Sequence, residues 1–112
     1  MKTQDQVEKF RKAAIDKGDF AEPAADHARY GEMSEAFRAL QHTQAGREAF
    51  ESLLADPSLH VRTWVAAQLL YSESNLAARS ILEDIARGAG MLAMNARVTL
   101  AEYDAGRLGS PL

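Results

Sequence analysis

Apolar side chains along this chain recur at intervals of three and four residues, and no stretch alternates apolar with polar over the length of a strand. That period is the mark of helices that each bury one stripe, so strands are not expected. Val7, Phe10 and Ala14 form the first stripe, and Thr3 followed by Gln6 has capping-box spacing. The pattern predicts a helix from about Gln4 to Lys17, ended by Gly18. Pro23 suits a first helical turn, where its missing N–H costs nothing. A second helix follows from it, with the heptad seam Tyr30, Met33, Phe37, Leu40. Gly31 lies inside that helix and weakens it by about 1 kcal/mol relative to alanine, so it marks either a close helix approach or a bend. A third helix is predicted over Gly46 to Ala55, with Phe50, Leu53 and Leu54 inward.

Asp56-Pro57-Ser58 should break the third helix, because proline disfavours helical backbone at the residue before it. Ser58 can cap a fourth helix, Leu59 to Tyr71, whose inward residues are Val61, Val65 and Leu69 with Ala66 and Leu70 beside them. A fifth, Leu76 to Arg87, carries Ile81, Leu82 and Ile85. Gly88-Ala89-Gly90 makes a turn, and a sixth helix runs from Met91 to about Ala105, stopped by Gly106 as a C′ residue. Its expected inner face is Leu92, Ala96, Thr99 and Tyr103, with Leu100 alongside, and the tail from Arg107 to Leu112 should be loose. The expected architecture is all-α, with about six helices in a single domain over residues 1–112. It comprises an N-terminal helix pair (1–45), two hairpins (46–71 and 75–106) and a tail (107–112).

The segment from Phe50 to Leu70 is the most specific. Its Leu53-Leu54-Ala55-Asp56-Pro57-Ser58 turn, its Val61-Arg62 pair and its Ala66-Ala67 and Leu69-Leu70 pairs resemble a HEAT repeat, two helices joined by a tight Asp-Pro turn. The resemblance implies a right-handed α-α superhelix. It also implies structural roles for Asp56, Pro57 and Arg62, since in HEAT repeats the arginine after the core valine pairs with the turn aspartate of a neighbouring unit. A shift of 31 residues lays the second hairpin weakly on the first, Leu54 on Ile85, Val61 on Leu92, Val65 on Ala96 and Leu69 on Leu100. Two units are fewer than a solenoid usually needs, so the first two helices are expected to cover the open end.

A narrower likeness joins Val61-Arg62-Thr63-Trp64-Val65-Ala66 to Asn95-Ala96-Arg97-Val98-Thr99-Leu100-Ala101-Glu102-Tyr103-Asp104-Ala105-Gly106-Arg107-Leu108. Together they resemble the small bacterial family known as domain of unknown function 2019. Tyr103 departs from it, since a tryptophan is usual there, and the first half of the chain has no residue-by-residue match. The resemblance implies helical fold more than activity. Some members of that family look like immunity partners of secreted bacterial toxins, including those of contact-dependent inhibition.

Composition narrows the possibilities. There is no cysteine, so disulfides and thiolate metal sites are excluded, as suits a reducing compartment. No long apolar run occurs at the start or elsewhere, so neither a signal peptide nor a membrane span is expected, and the expected location is cytoplasmic. The net charge is -3, from 13 basic and 16 acidic side chains, without the basic stripe that nucleic-acid binding draws on. Asp16, Asp19, Glu22, Asp26, Glu32 and Glu35 face only Lys17 and Arg29 within one stretch, the strongest charge feature of the chain. Such runs are usually solvated surface.

Candidate chemistry is thin. His27, His42 and His60 are scattered, with no i, i+4 pair and no cysteine to make a zinc site of recognisable spacing. Glu83 and Asp84 are adjacent on a helix and point apart. No serine or threonine sits in a nucleophile elbow. No catalytic residue, metal or cofactor is expected. Asn95, set among Met91, Leu92, Met94, Ala96 and Val98, is expected to be buried and to close free carbonyls of an inter-helix turn rather than to hold a ligand. Met91 and Met94 should fill core. Trp64 is either an exposed interface anchor or packs under a neighbouring helix.

These residues lead to a non-catalytic protein–protein interaction protein, monomeric or weakly dimeric. Its most concrete version is an immunity protein that binds a basic secreted toxin domain, using Asp19, Glu22, Asp26, Tyr30, Glu32 and Glu35 to steer the encounter, with Trp64 as a further contact. The alternatives are a general HEAT-like adaptor and a nucleic-acid module working through Arg62, Arg79, Arg87, Arg97 and Arg107. Nucleic acid and membrane are not the expected partners.

Overall fold

The computed structural model describes residues 2–17, 23–108 and 112. Among them the chain is all-α, with six α-helices and one short 3-10 turn: α1 (Thr3–Lys17), α2 (Pro23–Leu40), α3 (Gln44–Ser52), the turn Leu53–Ala55, α4 (Leu59–Leu69), α5 (Asn75–Ala86) and α6 (Met91–Asp104). They divide between two compact units, with the boundary between Leu53 and Leu54. The expected hairpin over 46–71 therefore takes its first helix from one unit and its second from the other.

In the first unit, α1 and α2 pack along each other and α3 lies against both. The Lys2 carbonyl accepts from the amides of Asp5 (3.0 Å) and Gln6 (3.4 Å), so Thr3 stands inside the first turn rather than before it. Gly18, expected to end α1, lies outside the described residues. Val7, Phe10, Ala13 and Ala14 are buried along α1, and Met33, Ala36 and Leu40 along α2. Phe50 of α3 closes this core. Its ring meets Phe10 edge-on at 5.2 Å and Phe37 at 5.0 Å.

The third helix starts two residues earlier than its sequence suggests, because the Thr43 hydroxyl accepts the Gly46 amide at 2.9 Å and so caps it. Arg47 reaches back to the Gln41 carbonyl (2.8 Å), beyond the end of α2. The close approach considered for Gly31 is found instead at Gly46. A Cβ on Gly31 would meet nothing within 4 Å, so Gly31 is not needed for a close approach. At Gly46, a Cβ would stand 2.2 Å from the Leu40 carbonyl oxygen. Gly31→Ala should raise stability by about 0.5–1 kcal/mol, read from urea unfolding, because alanine fits the space and restricts the unfolded chain. A loss of stability would mean that α2 needs a glycine there.

In the second unit, α5 packs against both α4 and α6, and α4 also touches α6. The buried Asp56 turns its carboxylate onto the Ser58 amide (2.9 Å), and Ser58 caps α4 as expected, accepting from Val61 at 3.4 Å. Val61, Val65, Ala66 and Leu70 are fully buried. Thr63, given no separate role in the sequence, is also buried and donates its hydroxyl to the Leu59 carbonyl at 2.7 Å. Ala78 and Leu82 carry the α5 core, with Ile81 and Ile85 half-buried.

Two turns depend on glycine. Gly90 opens α6 at φ 93, ψ -173, a region essentially closed to other residues. Gly106 at φ 73 ends α6 as C′ in a Schellman motif: its amide donates to Tyr103 (3.0 Å) and the Arg107 amide to Glu102 (2.8 Å). The C″ and C3 side chains, Arg107 and Glu102, add an ion pair at 2.8 Å where such motifs often place an apolar contact. The start of the tail is consequently not loose. Leu108 is also held, its carbonyl accepting from the Tyr71 hydroxyl, and Tyr71 stacks edge-on against Tyr103 at 5.0 Å.

The covered side of α6 holds the expected Leu92, Ala96, Thr99, Leu100 and Tyr103, and Ala93 as well. Its fully buried residues are Ala93 and Ala96, whose small size lets neighbouring helices come close, while Leu92, Thr99, Leu100 and Tyr103 are half-buried. Asn95 is exposed, not buried, and Met94 is exposed rather than filling core. The reason is rotation: two residues past Ala93 is about 200° around the helix, which turns Asn95 away from the covered side.

Candidate partner-binding surface

Of the acidic set, Asp19 and Glu22 lie outside the described residues, and Asp26 is placed only as backbone of α2. Glu35 projects from α2 on the side away from Met33 and Leu40, Glu32 flanks the buried seam and is half-buried, and Tyr30 stands at the seam's other edge, 36% exposed. The set is therefore not one face. Its carboxylates also have cations close by. Glu32 accepts from Arg29 at 2.7 Å and Glu35 from Lys9 of α1 at 2.8 Å. Outside that set, Asp16 accepts from Lys12 at 2.6 Å. The hydrogen bond from Lys9 holds the Glu35 carboxyl below its ordinary range, and that from Lys12 does the same for Asp16. Exposed pairs of this kind contribute little to stability. They leave a patterned surface of both signs in place of a bare negative one.

The arginines are similarly engaged. Arg79 of α5 grips Asp104 of α6 with two nitrogens, at 2.9 and 2.8 Å. Arg87 pairs with Asp84, Arg107 with Glu102, and Arg97 donates to the Ala86 carbonyl at the end of α5 (2.8 Å). Arg62 is placed differently: its Nε is buried and has no hydrogen-bond partner among the described residues. The bond to Arg79 lowers the Asp104 pKa from its ordinary 3.8, and it raises that of Arg79. A carboxyl depressed in the folded state contributes stability above its unfolded pKa, and that contribution is lost as pH falls through the folded value. Asp104→Asn should therefore lose stability near neutral pH and flatten the fall in thermal midpoint between about pH 5 and pH 2. An unchanged acid limb would show that the pair adds nothing.

Trp64 is half-buried on α4, between its two expected positions. His27 and His42 are exposed and His60 half-buried, on α2, the turn after it and α4. Among the described residues no group of three or more histidine or acidic side chains is placed to hold a metal ion. No described helix is long and apolar enough to cross a membrane.

An exposed apolar stripe lies on α6. Beyond its inner face, the helix carries a second stripe at heptad spacing: Met91 half-buried, Met94 45% and Val98 55% exposed, then Ala101 and the C-cap Ala105, both exposed. Arg97 and Asp104 border this stripe on one edge, Asn95 and Glu102 on the other. The Arg79–Asp104 pair brings the first turns of α5 beside the last turn of α6, and Leu76, one turn before Arg79, is 81% exposed there. The signal was present in the sequence: α6 holds more apolar residues than one face can take, spaced in two interleaved sets.

Comparisons with protein-family models, with curated protein sequences and with solved structures returned no match.

Proposed function

We propose that this chain is a non-catalytic protein-binding protein. The supporting observation is α6, a helix with two apolar faces of which one is covered within its own unit. A helix that packs on one side and faces solvent on the other ordinarily presents a polar outer face. Contiguous exposed apolar surface edged by charge is what protein partners cover.

The most concrete form of this function is immunity to a bacterial toxin, acting in the cytoplasm on a HEAT-like scaffold akin to domain of unknown function 2019. The heterologous contact would fall on the α2 surface that carries Glu32 and Glu35, with Tyr30, Asp19, Glu22 and Asp26 as further candidate contacts. Carboxylates there exchange their intramolecular cations for those of a basic partner. A nucleic-acid role has less support, since Arg79, Arg87, Arg97 and Arg107 already have internal acceptors. An adaptor contact centred on Trp64 has less too, because that ring is half-buried.

Co-expression with the product of the neighbouring upstream gene tests immunity. The expected result is that the product is toxic alone, that growth is rescued, and that the two proteins co-purify. A harmless or non-binding neighbour overturns immunity to that product. Reversing Glu32 and Glu35 together should slow association and reduce its salt dependence. Unchanged rate and salt slope would remove the α2 surface from the contact.

A further inference from the structure

The outer stripe of α6 is complementary to itself. Written as a heptad, Met91, Val98 and Ala105 take the a positions and Met94 and Ala101 the d positions, with Asn95 and Glu102 at e and Arg97 and Asp104 at g. In an antiparallel helix pair each a residue meets a d residue of the other helix. A register that sets Val98 against Ala101 also sets Met94 against Ala105. Each contact then joins a larger side chain to a small one, and the two axes can approach closely. Along the edges this same register places Arg97 opposite Asp104 and Asn95 opposite Glu102, twice over by symmetry. Opposite charges and an amide facing a carboxylate are both favourable there. A parallel pair would set Met94 on Met94 and Ala101 on Ala101, with layers of unequal width.

We infer that the occupant of this face is a second copy of the chain, joined through α6 as an antiparallel, two-fold symmetric dimer. The inference rests on reading the outer face of α6 as a protein-docking surface. Asp104 remains bonded to Arg79 of its own copy, and a carboxylate with free lone pairs accepts from the second arginine as well. Arg97 gives one terminal nitrogen to Ala86 and keeps the other. The helix is 14 residues, about 21 Å long, so the contact falls in the small-interface class and the dimer should dissociate on dilution. The α2 surface belongs to the other unit and need not take part in this contact.

The absence of native cysteine makes the test direct. Sedimentation of the full chain between about 10 micromolar and 1 millimolar, the range of a small interface, should show its mass rising from 12.3 kDa toward twice that. Val98→Glu should keep it at the monomer value with unchanged helicity and thermal midpoint. Under oxidation, Met94→Cys mixed with Ala105→Cys should give a cross-linked heterodimer, while Met94→Cys alone should not cross-link. A chain that stays monomeric throughout the range overturns the dimer, as does a dimer unaffected by Val98→Glu. Cross-linking by Met94→Cys alone overturns the antiparallel register. If the chain is monomeric but Val98→Glu abolishes co-purification with the upstream product, self-association fails while the docking face stands. If the dimer forms and no heterologous partner binds, the reverse holds.

Discussion

Gly46→Ala should destabilise the protein by about 3 kcal/mol or more, at the upper end of what overpacking a well-filled site costs. The atom it would strike is the Leu40 carbonyl oxygen, 2.2 Å from the new methyl, with the Leu40 carbonyl carbon at 2.9 Å behind it. These are backbone atoms, so no side-chain rotation can relieve the clash, and Leu40 itself is 1% exposed. Either α3 must lift from the end of α2, or the turn at 41–43 must rebuild. Both disturb the Thr43 cap and draw Phe50 out of its aromatic contacts. A fall in thermal midpoint of roughly 10–15 °C is the expected reading for a chain of this size. A midpoint within about 2 °C of the parent, less than 1 kcal/mol by the same scaling, would show that α3 has room to move. Gly31→Ala, with the opposite expected sign, is the matched control.

Phe50→Ala should cost about 3–5 kcal/mol, the range for removing a fully buried aromatic ring. Phe50 is 1% exposed and its ring contacts both Phe10 and Phe37, so its removal leaves two faces unmatched as well as a cavity. Set against a total stability of about 5–15 kcal/mol, this is a large fraction. Phe37→Ala should cost less, because Phe37 is already half-buried. Denaturant midpoints of the two variants would decide the matter. Equal losses would mean that the cluster is not centred on Phe50.

The residues that punctuate the chain were legible because punctuation is local chemistry. Pro23, Ser58 and Gly106 act on their own helix ends, and all three do in the structure what their sequence positions suggested. Two ends were misread for an equally local reason: Thr43 accepts the Gly46 amide and moves the start of α3, and Lys2 rather than Thr3 provides the carbonyl that opens α1. The candidate site was much less legible. Glu32 and Glu35 were visible as charge, but Lys9, which pairs with Glu35, is 26 residues away in the chain. Arg79 and Asp104, each plausible as a free surface charge, are 25 residues apart and bonded to each other.

The sequence by itself determined that this protein is helical, where its helices fall to within a few residues, and most of the side chains that build its cores. Those follow from periodicity, capping and the fixed backbone of glycine and proline, which act within a turn or two. Tertiary structure decided that Asn95 and Met94 are exposed, and that Gly46 rather than Gly31 meets a neighbouring backbone. A helix with two apolar stripes carries no local preference between them. Only the packing of α4 and α5 against Ala93 and Ala96 turns Met94 and Val98 outward.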